Sequence, residues 1–252
     1  VLGMIGDLME ENIDKLDKTI LEDNEIKRKR GLMIYPSTRP VNKVLEYNSD
    51  PYILGVTGNP AGVTELLREA GMNPLNGKYK SLIELNGEEM EKLVTAIMLR
   101  NPNTRNKDII GNIFLLKFFN KLEDARELSA RVNACSRLDE PQTALQFCIE
   151  VPGARKKAEA IHVRYKQHLI SGLEFARNSE NIHGKGFLII NAKDSIKDTI
   201  IGTIASILSS SSLYDEGTKI TTMAYYEDKI KISSRNVGKK GRNVREILDS
   251  IV

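Results

Sequence analysis

The sequence predicts an α/β protein, and three observations carry that class. Val1–Ile5 is a short apolar run ended by Gly6-Asp7, which reads as a buried strand. Several later runs place apolar residues at helical spacing, as Met90, Leu93, Val94 and Ile97 do. Near the end, Phe187–Ile190 reads as a core strand, and Ile220–Ala224 and Lys229–Ser233 alternate as a hairpin around Glu227-Asp228.

Taken in order, Asp7 ends the first strand, and open α/β sheets place ligands at such ends. An Asp there also suits a cap on the helix expected at Leu8–Leu21. Asn24–Arg30 reads as a charged turn, and Arg39-Pro40 opens a helix through Tyr47. Pro60–Ala70, with Val63, Leu66 and Leu67 on one face, is a helix stopped by Gly71. Asn86-Gly87-Glu88-Glu89 starts a helix that reaches Met98. Residues 22–110 therefore read as a helical insertion, helix-turn-helix in shape. Asp108–Lys117 is expected as a helix with Ile109, Ile110, Ile113 and Leu116 buried, and Leu122–Leu138 as another. Pro141–Ile149 and the long Ala154–Asn178 follow, separated by Val151-Pro152-Gly153. The long helix reads as a connector between two lobes, 1–150 and 181–252. In the second lobe Asp198–Leu208 turns Ile200, Ile201, Ile204 and Ile207 inward, and Asn243–Val252 is helical.

Composition bounds the function. The chain has 252 residues, ample for a large core in one or two domains. A net charge of +3 does not by itself argue for nucleic acid, so the distribution of charge must. Cys135 and Cys148 have neither disulfide nor zinc-site spacing, which suggests a reducing, cytoplasmic compartment. No apolar run is long enough for a bilayer, and Val1–Met9 lacks the features of a secretory peptide, so no membrane association is expected.

Two segments carry candidate chemistry. In Ser129–Leu145, SARVNACSRLDEPQTAL, Arg131, Asn133 and Arg137 crowd around small Ala134, Cys135 and Ser136. A guanidinium offers five donors in a planar fork suited to phosphate, and small neighbours let a ligand come close. The alternative is a helix whose arginines pair with core carboxylates. The second segment holds Lys229, Lys231, Arg235, Lys239, Lys240, Arg242 and Arg245, with Ser233 two residues before Arg235. Such a run can hold a phosphate backbone without reading sequence, or can be a solvated edge strand guarded by lysine.

These segments resemble the DHH phosphoesterase family, in particular archaeal RecJ-like nucleases. ARVNACSRLDEPQTAL is similar to their RxNAxGRL segment, with Ser136 in place of Gly. STRPVNKVLEYNSDPYILGVTGN, NKDIIGNIFLL and VLGMIGDLM resemble three further blocks in the same order. From Gly186 onward the chain is similar to the DHH-associated substrate-binding domain. The Asp-His-His motif expected before Asp7 is absent, as is a Gly-Gly-Gly-His segment after Val252, so the chain is expected to be an internal piece of a longer protein.

The resemblance implies an organisation. Residues 1–21 would end a parallel-sheet DHH domain, 22–110 be the insertion and 111–150 return to that domain. Residues 151–180 would form the connecting helix and 181–252 the DHH-associated domain. It implies a metal-dependent exonuclease or phosphoesterase acting on single-stranded DNA or RNA in replication. Asp7 would be a catalytic metal ligand for Mn2+ or Mg2+, the remaining ligands lying outside this chain. Arg131, Asn133, Arg137, Ser233 and Arg235 would bind substrate. In archaeal relatives the insertion docks the GINS complex, so a GINS-type partner is expected. The alternative is a non-catalytic replisome scaffold related to RecJ.

Overall fold

The computed structural model describes the chain apart from residues 1, 8, 10–12, 14, 24, 25, 49–52, 54, 101–108, 212, 239 and 250–252, and apart from the side chains of residues 15–17, 23 and 248. It is mixed α/β, and the chain divides into two units, Val1–Asn133 and Ala134–Val252.

The first unit opens with two helices, α1 (Leu2–Gly6) and α2 (Lys15–Asp23). It then has strand β1 (Lys27–Leu32), helices α3 (Val41–Tyr47), α4 (Pro60–Glu69) and α5 (Gly87–Arg100), and strands β2 (Ile110–Phe118) and β3 (Lys121–Asp124). Helix α6 (Ala125–Arg137) follows, its residues from Ala134 onward belonging to the second unit. The strands form an antiparallel sheet in the order β1-β2-β3, with Lys29 opposite Ile113 and Leu115 opposite Asp124. Helices α3, α4 and α5 bury Val44, Leu45, Val63, Leu66, Leu67, Leu93 and Ile97 in one cluster with Leu32, Ile34 and Ile109. Their ends are set by sequence. Asn59 accepts from the amides of Ala61 and Gly62, both at 3.2 Å, and Pro60 occupies the first turn, where its missing N–H costs nothing. At α5, Asn86 Oδ1 accepts from the Glu89 amide at 2.8 Å while Glu89 Oε2 accepts from the Asn86 amide at 2.9 Å.

Five expectations in this unit are corrected. Val1–Ile5 is not a strand: its described residues are in α1, where the amide of Asp7 donates to Gly3 O at 3.0 Å. A strand needs a neighbour for its backbone groups, and among the described residues none pairs with this run, so a helix satisfies them locally. Of the expected turn Asn24–Arg30, 24 and 25 lie outside the described residues and Lys27–Arg30 is strand, paired with β2, while Lys29 Nζ donates to Ile83 O and Leu85 O at 2.6 and 2.7 Å. Of the expected helix Asp108–Lys117, 108 lies outside the described residues and Ile110–Lys117 is strand. Its helical spacing coexists with a continuous buried run, Ile113-Phe114-Leu115, and with poor helix formers Gly111 and Asn112, so pairing on both sides decides the outcome. The Leu122–Leu138 helix starts only at Ala125, since 121–124 completes the sheet. Helix α2 likewise spans Lys15–Asp23, whereas of the expected Leu8–Leu21 residues 8, 10–12 and 14 lie outside the described residues.

The second unit contains α7 (Pro141–Cys148) and the long α8 (Ala154–Asn178). It continues with β4 (Ile182–Gly184), β5 (Phe187–Asn191), α9 (Asp198–Ser209), β6 (Lys219–Tyr226), β7 (Lys229–Asn236) and α10 (Val244–Asp249). The sheet order is β4-β5-β6-β7, with β5 and β6 parallel and the outer pairs antiparallel. Parallel neighbours cannot be joined by a tight turn, and α9 is the crossover between them. Ile200, Ile201 and Ile204 of α9 are buried, but Ile207, expected inward, is 38% exposed. Gly172 of α8 gives α9 room: a Cβ there would stand 3.0 Å from Ile204 Cδ1.

Candidate nucleic-acid interface

The six residues singled out from sequence fall in different environments. Asp7 is exposed in the turn after α1. Among the described residues no group of three or more His, Cys, Asp or Glu side chains is placed to hold a metal ion. Asp7 alone cannot seat a divalent pair, so the described residues do not fit a metal centre.

Arg131, Asn133 and Arg137 share α6 but not a face. At 100° per residue, Asn133 and Arg137 lie about 40° apart and Arg131 roughly opposite. Arg131 is 4% exposed, with Nη2 donating to Glu127 Oε1 at 2.8 Å and Nη1 lying 3.8 Å from Glu123 Oε2. Arg39 also donates to Glu127. Burial pushes the Glu127 carboxyl above its ordinary range, and the Arg131 and Arg39 guanidiniums pull it back. Beside this group the buried Asp124 accepts from the amide of Ser37 at 2.9 Å and from its hydroxyl, and caps α6 by accepting from the Arg126 amide at 3.0 Å. Arg131 thus stands in a core ion network, the alternative that its spacing left open. Ala134 and Cys135 are buried, so their small size serves packing; burial raises the Cys135 thiol above its usual range. Asn133 is exposed.

Arg137 belongs to the second unit. Its Nη1 donates to Thr199 O at 3.2 Å, and Thr199 Oγ1 donates back to Arg137 O at 2.6 Å. The end of α6 is therefore tied to the first turn of α9. Lys197 and Asp139 add an ion pair at 2.8 Å beside it.

The same helix carries the second candidate pair. Ile220, Thr222 and Ala224 of β6 face α9, and their partners across the hairpin are Arg235, Ser233 and Lys231. These three therefore point to the α9 side of the sheet. Helix α9 meets them in register. Asp198 Oδ2 is 3.2 Å from Lys231 Nζ. A Cβ on Gly202 would lie 3.3 Å from Ser233 Oγ. Ser206 Oγ accepts from Arg235 Nε at 3.3 Å. The match is geometric: four residues of helix rise ~6 Å and two residues of strand ~6.7 Å. Thr222 Oγ1 locks the layers by donating to Ile201 O at 3.0 Å.

Charge along this edge is uneven. Lys231, Lys240 and Arg245 each face a carboxylate, on Asp198, Glu216 and Asp249. Lys239 lies outside the described residues. Arg235 is held by neutral acceptors, Ser206 Oγ and, at 2.8 Å, Ser234 O. Arg137 is likewise held by a carbonyl. Among the described residues, then, both guanidiniums are oriented without their charge being cancelled.

Structure joins Arg137, Ser233 and Arg235 through α9 and sets Arg131 apart in a carboxylate network. Sequence reasoning missed Asp198, Gly202 and Ser206. Their signal was the four-residue spacing on the α9 face not used by Ile200, Ile201 and Ile204.

No curated protein matches the chain. Residues 35–107 match the family model described as the DHH-CID domain, a stretch that runs from before α3 to beyond α5. This likeness to a domain associated with DHH-family proteins covers under a third of the chain.

Proposed function

We propose that this chain is part of a DHH-type phosphoesterase and holds the phosphate backbone of single-stranded DNA or RNA along α9 and β7. The observation that carries the reading is the α9–β7 ladder, with Arg235 and Arg137 fixed by neutral groups at opposite ends of one helix. Thr199 and Ser206 set these contacts about 10 Å apart along the axis. A guanidinium held by carbonyl and hydroxyl oxygens keeps its charge and its outward donors for phosphate oxygens. Ser233 adds a hydroxyl between Lys231 and Arg235. Phosphate contacts of this kind give affinity without sequence preference. Hydrolysis by the whole protein would use Mn2+ or Mg2+, with Asp7 as one proposed ligand and the others drawn from outside the described residues. The test is fluorescence anisotropy of labelled single strands of mixed sequence with the full chain. Binding that is indifferent to base composition and reduced by Arg235→Ala supports the reading. Equal binding by Arg235→Ala overturns it.

A second reading is a replication scaffold whose helical segment docks a GINS-type partner. It is favoured by the position of the DHH-CID match, which covers helices that carry none of the proposed phosphate contacts. Deleting residues 35–107 separates the two: the scaffold loses its partner, while the phosphate face retains strand binding.

A further inference from the structure

We infer that Ser206 is a positioning residue that aims Arg235, and that α9 thereby serves as the rigid backing of the phosphate face. The inference rests on the reading of Arg235 given above. Arg235 lies exposed on an edge strand, and a long side chain there samples many rotamers that a bound phosphate must then freeze. Two contacts narrow this choice. Nη1 donates to Ser234 O at 2.8 Å, on the residue just before it, and Nε donates to Ser206 Oγ at 3.3 Å, across the layer.

The Ser206 contact has a defined polarity. A hydroxyl has one proton, and Ser206 commits it to Gly202 O at 2.9 Å, one helical turn back. Its lone pairs are left to face β7, so the group acts toward Arg235 only as an acceptor. The chain Arg235 Nε–H to Ser206 O–H to Gly202 C=O runs in one direction, and each member fixes the next. Gly202 matters for the same reason. With its carbonyl holding Ser206 and no Cβ, it lets Ser233 lie against the helix; a methyl at 3.3 Å from Ser233 Oγ would press on the strand that carries Arg235. A glycine in the middle of a helix is unfavourable relative to alanine, which close approach of this kind accounts for. Two of the five donors of Arg235 are used in holding it. Among the described residues no carboxylate claims the others, and they remain for a ligand.

The experiment is a double-mutant cycle on the full chain, with a labelled single-stranded oligonucleotide as probe and circular dichroism melting as the fold control. Ser206→Ala removes the acceptor and keeps the helix. Ser206→Thr keeps both the hydroxyl and its bond to the carbonyl one turn back. The expected result is an affinity about three- to tenfold weaker for Ser206→Ala, the range of one lost hydrogen bond, with an unchanged melting curve. Ser206→Thr should restore the affinity. Ser206→Ala combined with Arg235→Ala should bind no more weakly than Arg235→Ala alone, because Ser206 acts through that guanidinium. The inference alone is overturned if Arg235→Ala weakens binding while Ser206→Ala does not, or if the two losses add. If Arg235→Ala itself changes nothing, the phosphate-binding reading fails and takes this inference with it.

Discussion

Arg131 and Arg137 are six positions apart on α6, and their surroundings give them different tasks. Arg131 is sealed among Glu123, Glu127 and the Arg39 that shares Glu127. Removing it leaves buried carboxylates with less positive charge to hold them, and breaking a buried pair in this way costs about 3–5 kcal/mol. Arg131→Met, which preserves volume, should therefore lower the urea midpoint sharply while the folded fraction binds oligonucleotide with unchanged affinity. A stable variant that has lost binding would make Arg131 a phosphate ligand instead. Arg137 is half-buried and held by a single carbonyl. Arg137→Ala is expected to weaken single-strand binding about five- to tenfold, with a stability change below about 1.5 kcal/mol, the range of an ordinary hydrogen bond. Loss of the fold with full binding by what remains folded would show a structural role. The sequence placed both arginines in one motif and could not separate them, because their difference arises from Glu123 and Glu127 and from Thr199, 62 residues further on.

At the scale of elements, legibility followed locality. Helices α4 and α5 were readable because their caps, Asn59 and Asn86 with Glu89, lie within three residues of what they cap. The long helix Ala154–Asn178 was bounded by Gly153 before it and fell at the expected ends. Strands β1 and β2 were not readable, because the charged Lys27–Arg30 becomes a strand only by pairing with a segment more than eighty residues away. Two predictions belong here. At the three-residue helical turn Leu82–Glu84, the amide of Ser81 donates to Glu84 Oε2 at 2.7 Å and its hydroxyl donates at 2.8 Å. These bonds, the backbone one first, hold the Glu84 carboxyl below its ordinary value of 4.5. A depressed folded value means that the stabilisation is complete above the unfolded value and is lost as pH falls through the folded one. Ser81→Ala should thus cost about 1 kcal/mol at neutral pH, and the difference from the parent should shrink under acid. A gap in thermal melting that stays constant down to pH 3 would contradict this account. At Gly62, a Cβ would sit 1.8 Å from Gly55 O. Gly62→Ala must push the Gly55–Gly58 turn off α4 and should cost about 1–3 kcal/mol despite the better helix former. An unchanged denaturant midpoint would show that the turn yields freely.

For the molecule as a whole, a net charge of +3 says little, and placement says more. Among the described residues, Lys231, Lys240 and Arg245 of the basic segment from Lys229 to Arg245 are paired locally with Asp198, Glu216 and Asp249, which a count of lysines and arginines cannot reveal. Arg235 of this segment and Arg137 are the two guanidiniums held toward the two ends of α9, by a hydroxyl and a carbonyl. The α/β class and the second sheet were legible from the alternation around Glu227-Asp228, whereas the role of α9 was not, since its buried isoleucines drew attention from its small polar face. Phosphate binding along α9 and β7 is read from the salt dependence of single-strand binding by the full chain. Each phosphate neutralised on a single strand contributes about −0.7 to the slope of log affinity against log salt. Contacts from Arg137 and Arg235, with Lys231 shared with Asp198, should give a slope of about −1.4 to −2, falling by about 0.7 in Arg235→Ala. A slope near zero, or one that Arg235→Ala and Arg137→Ala both leave untouched, would contradict a phosphate-binding face on α9 and β7.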